Sequence, residues 1–224
     1  MRRWQTIRSS VLARHIHKRA YCALVLSGRG EEAGDSGRFR VQVGDVLLHE
    51  CFEGHQNRFP SPGMTVLNIA LPVGCWFLSG LGRVADLDFI VRLAERDEQE
   101  AAKAVLSEVE MQKPVCFDWP DELAFALLTN PSLSLSCWSA ANGIAPWETS
   151  RGFAAAFGIS PSAFRARTRA RLAWRAIRTS EEPLAGMAAR LGFADQSHMT
   201  RSVTSVTGRG PRAWRASANR FKTQ

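Results

Sequence analysis

Arginine is the residue whose placement in this chain says most about chemistry. After position 120 there are 14 Lys and Arg against 6 Asp and Glu, and 13 of those 14 are Arg. Before it, 15 basic residues balance 15 acidic ones, so the whole formal excess of +8 lies in the second half. A guanidinium presents a planar fork that meets phosphate oxygens or a guanine edge with two parallel hydrogen bonds, which a Lys ammonium cannot do. The asymmetry points to a polyanionic partner; a solvated basic surface is the reading that charge alone leaves open. Thiol chemistry finds little support. Cys22, Cys51, Cys75, Cys116 and Cys137 are odd in number and scattered without a C-x-x-C pair, which gives neither a disulfide framework nor a zinc-finger spacing. Reduced, partly buried cysteines in a cytoplasmic protein are expected. Met1-Arg2-Arg3-Trp4 is basic, but no apolar stretch follows it. No apolar run approaches the ~18 residues of a membrane span, so no membrane partner is expected.

The elements that must position these arginines repeat. Leu135, Trp138, Ser139, Ala140, Gly143, Ile144 and Ala145 return 49 residues later as Leu184, Met187, Ala188, Ala189, Gly192, Phe193 and Ala194. The offset then becomes 50, pairing Arg151 with Arg201, Phe153 with Val203, Gly158 with Gly208, Pro161 with Pro211 and Phe164 with Trp214. A one-residue insertion accounts for the change. Each copy places apolar residues at i and i+3 of a short helix, beside a small residue that admits a second helix. A Gly then ends the helix in a left-handed turn. An apolar residue, Ile144 or Phe193, pins the turn, and a second helix starts at Pro146 or Asp195. The plan is helix, short glycine turn, helix. A long helix over about 162–179 joins the copies, with Arg165, Arg167, Arg169, Arg171 and Arg175 spread around it, so only some of them face a ligand. Paired helical hairpins without a nucleic-acid role are the bland alternative; two copies in the half that holds all the excess charge favour DNA.

Ahead of the repeat the periodicity differs. Residues 10–80 read as β: Tyr21 to Leu26 form an apolar run ending at Ser27-Gly28, and Phe39, Val41 and Val43 alternate with polar neighbours. Val46-Leu47-Leu48 and Thr65 to Leu71 follow further turn signals, as in a small sandwich or barrel. From about residue 84 the period becomes helical, with Leu87, Ile90, Val91 and Ala94 on one face and Ala101, Val105 and Val109 continuing it until Pro114. Core packing and partner packing of this face read alike in sequence. Pro120 with Asp121-Glu122 starts another helix, which Asn130-Pro131 breaks. The expected class is α+β: a small β-barrel domain over 1–83, a helical connector over 84–130, and an all-α domain with two helix-turn-helix units over 131–224.

Residues 132–215 resemble the DNA-binding domain of AraC/XylS-type transcriptional regulators. The stretch Ala188-Ala189-Arg190-Leu191-Gly192-Phe193-Ala194-Asp195-Gln196-Ser197-His198-Met199 is similar to that family's signature around the second turn, and Gly208-Arg209-Gly210-Pro211-Arg212-Ala213-Trp214-Arg215 to its ending. The resemblance implies two recognition helices, about 146–157 and 195–206, in major-groove segments about 34 Å apart on one DNA face. Carried over by position, the DNA-facing residues are Pro146, Trp147, Ser150 and Arg151 on the first helix and Gln196, Ser197, His198 and Arg201 on the second. Arg suits guanine O6/N7 and Gln suits adenine N6/N7. Trp147 covers a thymine methyl or caps the helix interface, and Arg151 and Arg201 read bases or hold phosphates. Phe153, Phe157, Phe164, Met187, Phe193, Met199 and Trp214 are core. Three positions depart from the family pattern. Ala145 stands where Ser or Thr often caps, Gly152 lies inside the recognition helix where it should loosen it, and Val203 stands where Phe is usual.

In the front domain, His15-Ile16-His17 before a strand, and His55 about ten residues after Gly44-Asp45, resemble the two metal-bearing motifs of the cupin barrel. Sensor domains of AraC-type regulators often have that fold. Three imidazoles suit Zn, Fe or Mn. The Glu expected shortly after the His pair is missing, with Tyr21 in its neighbourhood, and Glu50-Cys51-Phe52 stand where Pro-x-Gly is usual. His49 and Cys51 are further donors. The expectation is a metal-free effector pocket or a packing role and no cofactor, with a transition metal on His15, His17 and His55 as the alternative. Together these features imply a cytoplasmic, non-enzymatic, sequence-specific transcriptional regulator that responds to a small molecule. Its expected partners are double-stranded DNA, a small-molecule effector, RNA polymerase and a second copy of the chain. The runner-up is a cupin metalloenzyme with a helical appendage, which needs an intact metal set and an acid/base group that the sequence does not show.

Overall fold

The computed structural model describes residues 3–72, 78–113 and 115–222. Cys75 and Pro114 lie outside the described residues. The chain divides into two compact units, Met1–Phe117 and Asp118–Gln224.

The first unit is antiparallel: β1 (Trp4–Ile7), β2 (Ser10–Ile16), β3 (Tyr21–Gly34), β4 (Gly37–Gln42), β5 (Asp45–His49), β6 (Gly54–Phe59), β7 (Met64–Ala70), β8 (Gly80–Arg83) and β9 (Glu110–Met111). The strand expected to end at Ser27-Gly28 instead bends there and continues. Its first half pairs with β5 and β7, and its second half with β4 and β6. A register shift between Val25 and Ser27 marks the bend. Gly28, at φ 79°, is needed there because a Cβ would lie 2.0 Å from the Gly63 carbonyl oxygen. One sheet therefore runs β1-β7-β3-β5-β8-β9 and the other β2-β6-β3-β4. The ladder does not close on itself, so the expected small barrel is an open pair of layers sharing β3.

Alternation along β3 separates two cores. Cys22 and Leu24 join Val46, Leu48, Leu67 and Ile69 on the outer face, against Ile90 and Ala94 of α1 (Leu87–Arg96) and Ala101, Ala102 and Val105 of α2 (Glu98–Glu108). Tyr21, Ala23 and Val25 face the other way, toward Phe39, Val41, Phe59 and Met64. Residues 84–130 are thus not a separate connector. The α1–α2 stripe is core packing on the sheet, and α3 (Trp119–Thr129) belongs to the second unit.

That second unit is helical: α3, α4 (Leu135–Ala141), α5 (Pro146–Phe157), α6 (Pro161–Thr179), α7 (Leu184–Arg190), α8 (Gln196–Thr207) and α9 (Pro211–Lys222). Helix α6 packs against α3, α5, α7, α8 and α9 and buries Phe164, Ala173, Trp174 and Ile177. Each large apolar side chain so buried contributes about 1.5–3 kcal/mol, which is why an Arg-rich helix sits at the centre of the unit.

Candidate nucleic-acid interface and front-domain cavity

The two helix-turn-helix units, α4–α5 and α7–α8, are built from the same backbone hydrogen bonds. Ile144 N donates to Ser139 O at 3.0 Å, and Phe193 N to Ala188 O at 2.9 Å. Asn142 N donates to Trp138 O at 3.1 Å, and Leu191 N to Met187 O at 3.0 Å. Gly143 (φ 66°) and Gly192 (φ 72°) hold the left-handed corner. The second helices begin at Ala145 and Asp195 as N-caps, so the inserted residue is Ala194 and the second recognition helix is Gln196–Thr207, one residue later than expected.

From these caps onward the helices match at an offset of 50. Thr149, Phe153 and Phe157 are buried on α5, as Met199, Val203 and Thr207 are on α8. The opposite face is exposed. It presents Pro146, Trp147, Ser150 and Arg151 on α5, with Trp147 64% exposed, and Gln196, Ser197 and Arg201 on α8. The Arg151 guanidinium lies 5.9 Å from the Trp147 ring centroid. His198 is half-buried, its ring edge-on to Phe193 at 5.3 Å, and matches Glu148 rather than a residue of the exposed row. Thr204, exposed one turn beyond Arg201, extends that row and was missed in sequence because threonine carries no distinctive signal. Six of the seven expected core residues are buried, and Trp214 is half-buried.

Several arginines turn out to be structural. Arg165 donates to Leu133 O at 2.8 Å. Arg169 donates to Gly192 O at 2.8 Å and Pro131 O at 2.7 Å, and burial lowers its pKa. Arg215 donates to Glu182 O at 2.7 Å. Gly152 does not simply loosen α5: the Trp119 indole of α3 lies against it, and a Cβ there would be 2.4 Å from the ring.

In the first unit, cross-strand register gathers four imidazoles. His15 stands opposite His55 on β2 and β6, Tyr21 opposite His49 on β3 and β5, and Glu32 opposite Asn57 on β3 and β6. The shift between Leu12 and His15 lets both line the space between the sheets, and the bend in β3 does the same for Tyr21 and Glu32. The cavity is about 360 Å³ and is lined by His15, His17, Tyr21, Glu32, His49 and His55 among others. Beside it a second, of about 400 Å³, shares His17, Tyr21 and Asn68 and adds Arg3, Lys18 and Arg19.

The donor atoms of His15, His17 and His55 lie within 4.8 Å of one another, as do those of Glu32, His49 and His55. His15 Nε2 and His55 Nε2 are 3.1 Å apart. Glu32 Oε2 accepts from Asn57 Nδ2 at 2.9 Å, and lies 3.6 Å from His49 Nε2 and 3.9 Å from His55 Nδ1. Burial pushes the Glu32 carboxyl up to about 8, against the opposing hydrogen bond from Asn57. Burial also holds His55 well below the ordinary histidine value, with His49, His15 and His17 adding to the effect. No spacing motif points to Glu32, which lies 15 positions after His17.

A family model described as a helix-turn-helix domain matches residues 138–217. No curated protein sequence matches the chain. Among solved structures, the chain is similar to a probable AraC family transcriptional regulator from Rhodopseudomonas palustris (21% identity over 43% of this chain and 93% of that one, TM-score 0.40). It is also similar to the C-terminal domain of AraT, a response regulator from Geobacillus stearothermophilus (19%, 44% and 84%, 0.41), and to ToxT from Vibrio cholerae (9%, 95% and 98%, 0.44). Among the described residues, no helix is long and apolar enough to cross a membrane.

Proposed function

We propose that this chain is an AraC-type, sequence-specific transcriptional regulator whose front domain takes up a small molecule, a reading supported by the helix-turn-helix domain matched over residues 138–217. The observation that carries the reading is the doubled helix-turn-helix. Two recognition helices with matched exposed rows stand in the half of the chain that carries all +8 of the formal charge. Pro146, Trp147, Ser150 and Arg151 contact one major-groove segment; Gln196, Ser197, Arg201 and Thr204 contact the next. His198, leaning on Phe193, reaches the DNA from the edge of that row. Arg165, Arg169 and Arg215 hold the scaffold, so the base-reading arginines are Arg151 and Arg201.

The cavities of about 360 and 400 Å³ in the front unit are of a size that suits a small effector. At a promoter such a regulator acts with RNA polymerase. A second copy would pair through a surface other than the α1–α2 stripe, which the sheet covers.

Selection of sites from random duplex DNA by the full chain, at two salt concentrations, tests the reading. The expected result is a motif with two half-sites about one helical turn, roughly 34 Å, apart. Salt-sensitive binding without an enriched motif would reduce the protein to a non-specific DNA binder.

A further inference from the structure

We propose that the cavity beside the histidine-lined one takes up a small dicarboxylate, with one carboxylate on the Arg3 guanidinium and the other near Lys18 and Arg19. The proposal rests on the reading of the front domain as taking up a small molecule, and it names the chemical class of that molecule.

The first support is the charge that the fold gathers at this cavity. Arg3 precedes β1, and its carbonyl accepts from Asn68 N of β7 at 2.7 Å, which extends the ladder that pairs Trp4 with Leu67. Lys18 and Arg19 lie between β2 and β3, where Leu71 N donates to Ala20 O at 3.1 Å and ties this link to the end of β7. Glu98, the first residue of α2, accepts from Ala70 N through Oε1 at 2.9 Å. The cavity of about 400 Å³ is thus lined by three cationic side chains, Arg3, Lys18 and Arg19, against the one carboxylate of Glu98. Among the described residues, no acidic side chain pairs with any of the three.

The second support is a pair of orphaned atoms. Arg3 Nε and Nη2 are both buried and have no hydrogen-bond partner among the described residues. These two nitrogens form one edge of the guanidinium, with N–H bonds pointing the same way, and that edge grips a carboxylate side-on. Arg190 uses the same edge on an internal carboxylate, its Nε and Nη2 reaching Glu182 Oε2 at 3.2 and 2.7 Å. Arg3 therefore holds the fork that Arg190 holds, withdrawn from water and without a carboxylate from the chain. Burial of unsatisfied donors is costly, and a charged acceptor from a ligand offsets that cost.

The donor set favours carboxylates over phosphate. Phosphate sites draw on backbone N–H groups at a helix start. Here the start of α2 is closed, because the Asp97 carboxylate already accepts from Gln99 N and Glu100 N, and Glu98 adds a negative charge beside it. Side-chain cations remain as the donors. Three positive charges against one negative match a dianion, with the buried fork of Arg3 taking one end and the exposed Lys18 and Arg19 the other. Ala20, Tyr21 and Ala70 supply an apolar wall for the short carbon chain between them. The volume lies in the range of small-molecule sites.

The test is calorimetric titration of the tag-free full chain with malonate, succinate, glutarate and adipate, with butyrate and inorganic phosphate beside them. At least one dicarboxylate is expected to bind one per chain, more tightly than butyrate or phosphate. Arg3→Ala should weaken that binding about ten- to a hundredfold. Arg3→Lys, which keeps the charge but not the fork, should recover only part of the loss. Because the Arg3 backbone and not its side chain holds β7, both variants should retain the β-sheet circular dichroism. Joint Lys18→Ala and Arg19→Ala substitution, at exposed positions, should weaken the dicarboxylate about two- to tenfold and narrow its margin over butyrate. Failure of every dicarboxylate to bind one-to-one overturns the site, as does binding indifferent to Arg3→Ala. Phosphate binding as tightly as the best dicarboxylate overturns the ligand class, and an unchanged margin over butyrate overturns the second seat. Site selection on DNA reads the regulator independently. A chain that selects a motif but takes up no dicarboxylate loses this inference alone, and one that does the reverse loses the regulator reading alone.

Discussion

The two helix-turn-helix units share a backbone and almost nothing of the side-chain chemistry that holds it. In the first, the pair between the short helix and the recognition helix is polar: Ser139 Oγ and Thr149 Oγ1 lie 2.8 Å apart and buried. The matching pair in the second is Ala188 and Met199, both buried and apolar. Two turns further on the chemistry is exchanged. Phe157 meets Phe164 edge-on at 5.6 Å in the first unit, whereas Trp214 Nε1 donates to Thr207 Oγ1 at 2.8 Å in the second. The corner itself depends on a glycine at positive φ and on helical carbonyls, which are indifferent to the side chains behind them. The repeat therefore conserves turn geometry and lets each core find its own complement. The same freedom covers support from outside the hairpin: Trp119 lies on Gly152 in the first unit, and Arg169 holds the Gly192 carbonyl in the second.

This contrast is open to attack at four points. The largest effect is expected at the aromatic trio Phe153, Phe157 and Phe164, whose ring centroids lie 4.6–5.6 Å apart. Phe153→Ala should cost about 3–5 kcal/mol by calorimetry or urea unfolding. Val203→Ala at the matching site removes fewer buried atoms and should cost clearly less. Equal losses would mean that the two cores are not built differently. Next, Arg151→Ala and Arg201→Ala should each weaken binding to a selected site by about 1–3 kcal/mol, each at its own half-site. A uniform loss on all sequences in a titration series would instead place both on phosphates.

Gly152→Ala is predicted to destabilise by about 1–3 kcal/mol through overpacking against Trp119. Ser202→Ala, its counterpart on α8, should stay within about 0.5 kcal/mol. Thermal unfolding reads both, and Trp119→Leu should relieve the first but not alter the second. Smallest are the caps. Asp195 Oδ1 accepts from His198 N at 2.6 Å, while the Ala145 methyl offers no acceptor. Asp195→Ala should lose about 1 kcal/mol and Ala145→Ser should gain a comparable or smaller amount. A stabilising Asp195→Ala would show that the cap adds nothing to α8.

What the sequence determined by itself was everything that repeats within a few turns. Glycines at the corners, apolar residues at i and i+3, and prolines at helix starts act through local geometry, so the double helix-turn-helix, its recognition helices and their exposed rows were legible to within a residue. The slip at Ala194 arose because the exact insertion point leaves no periodic trace, and it carried His198 onto the exposed row in place of Thr204. His15, His17 and His55 were legible as donors because their spacing matches known motifs. Only the tertiary structure decided which groups complete them. Glu32 and His49 reach the cavity through strand register and the bend of β3 at Gly28, and a single-residue shift in register turns a side chain from one face of a sheet to the other. The same holds for the open sheet in place of a barrel, for the α1–α2 stripe lying on that sheet, and for Gly152. Each depends on a partner far away in the chain, and residue type at one position carries no record of which distant side chain will lie against it.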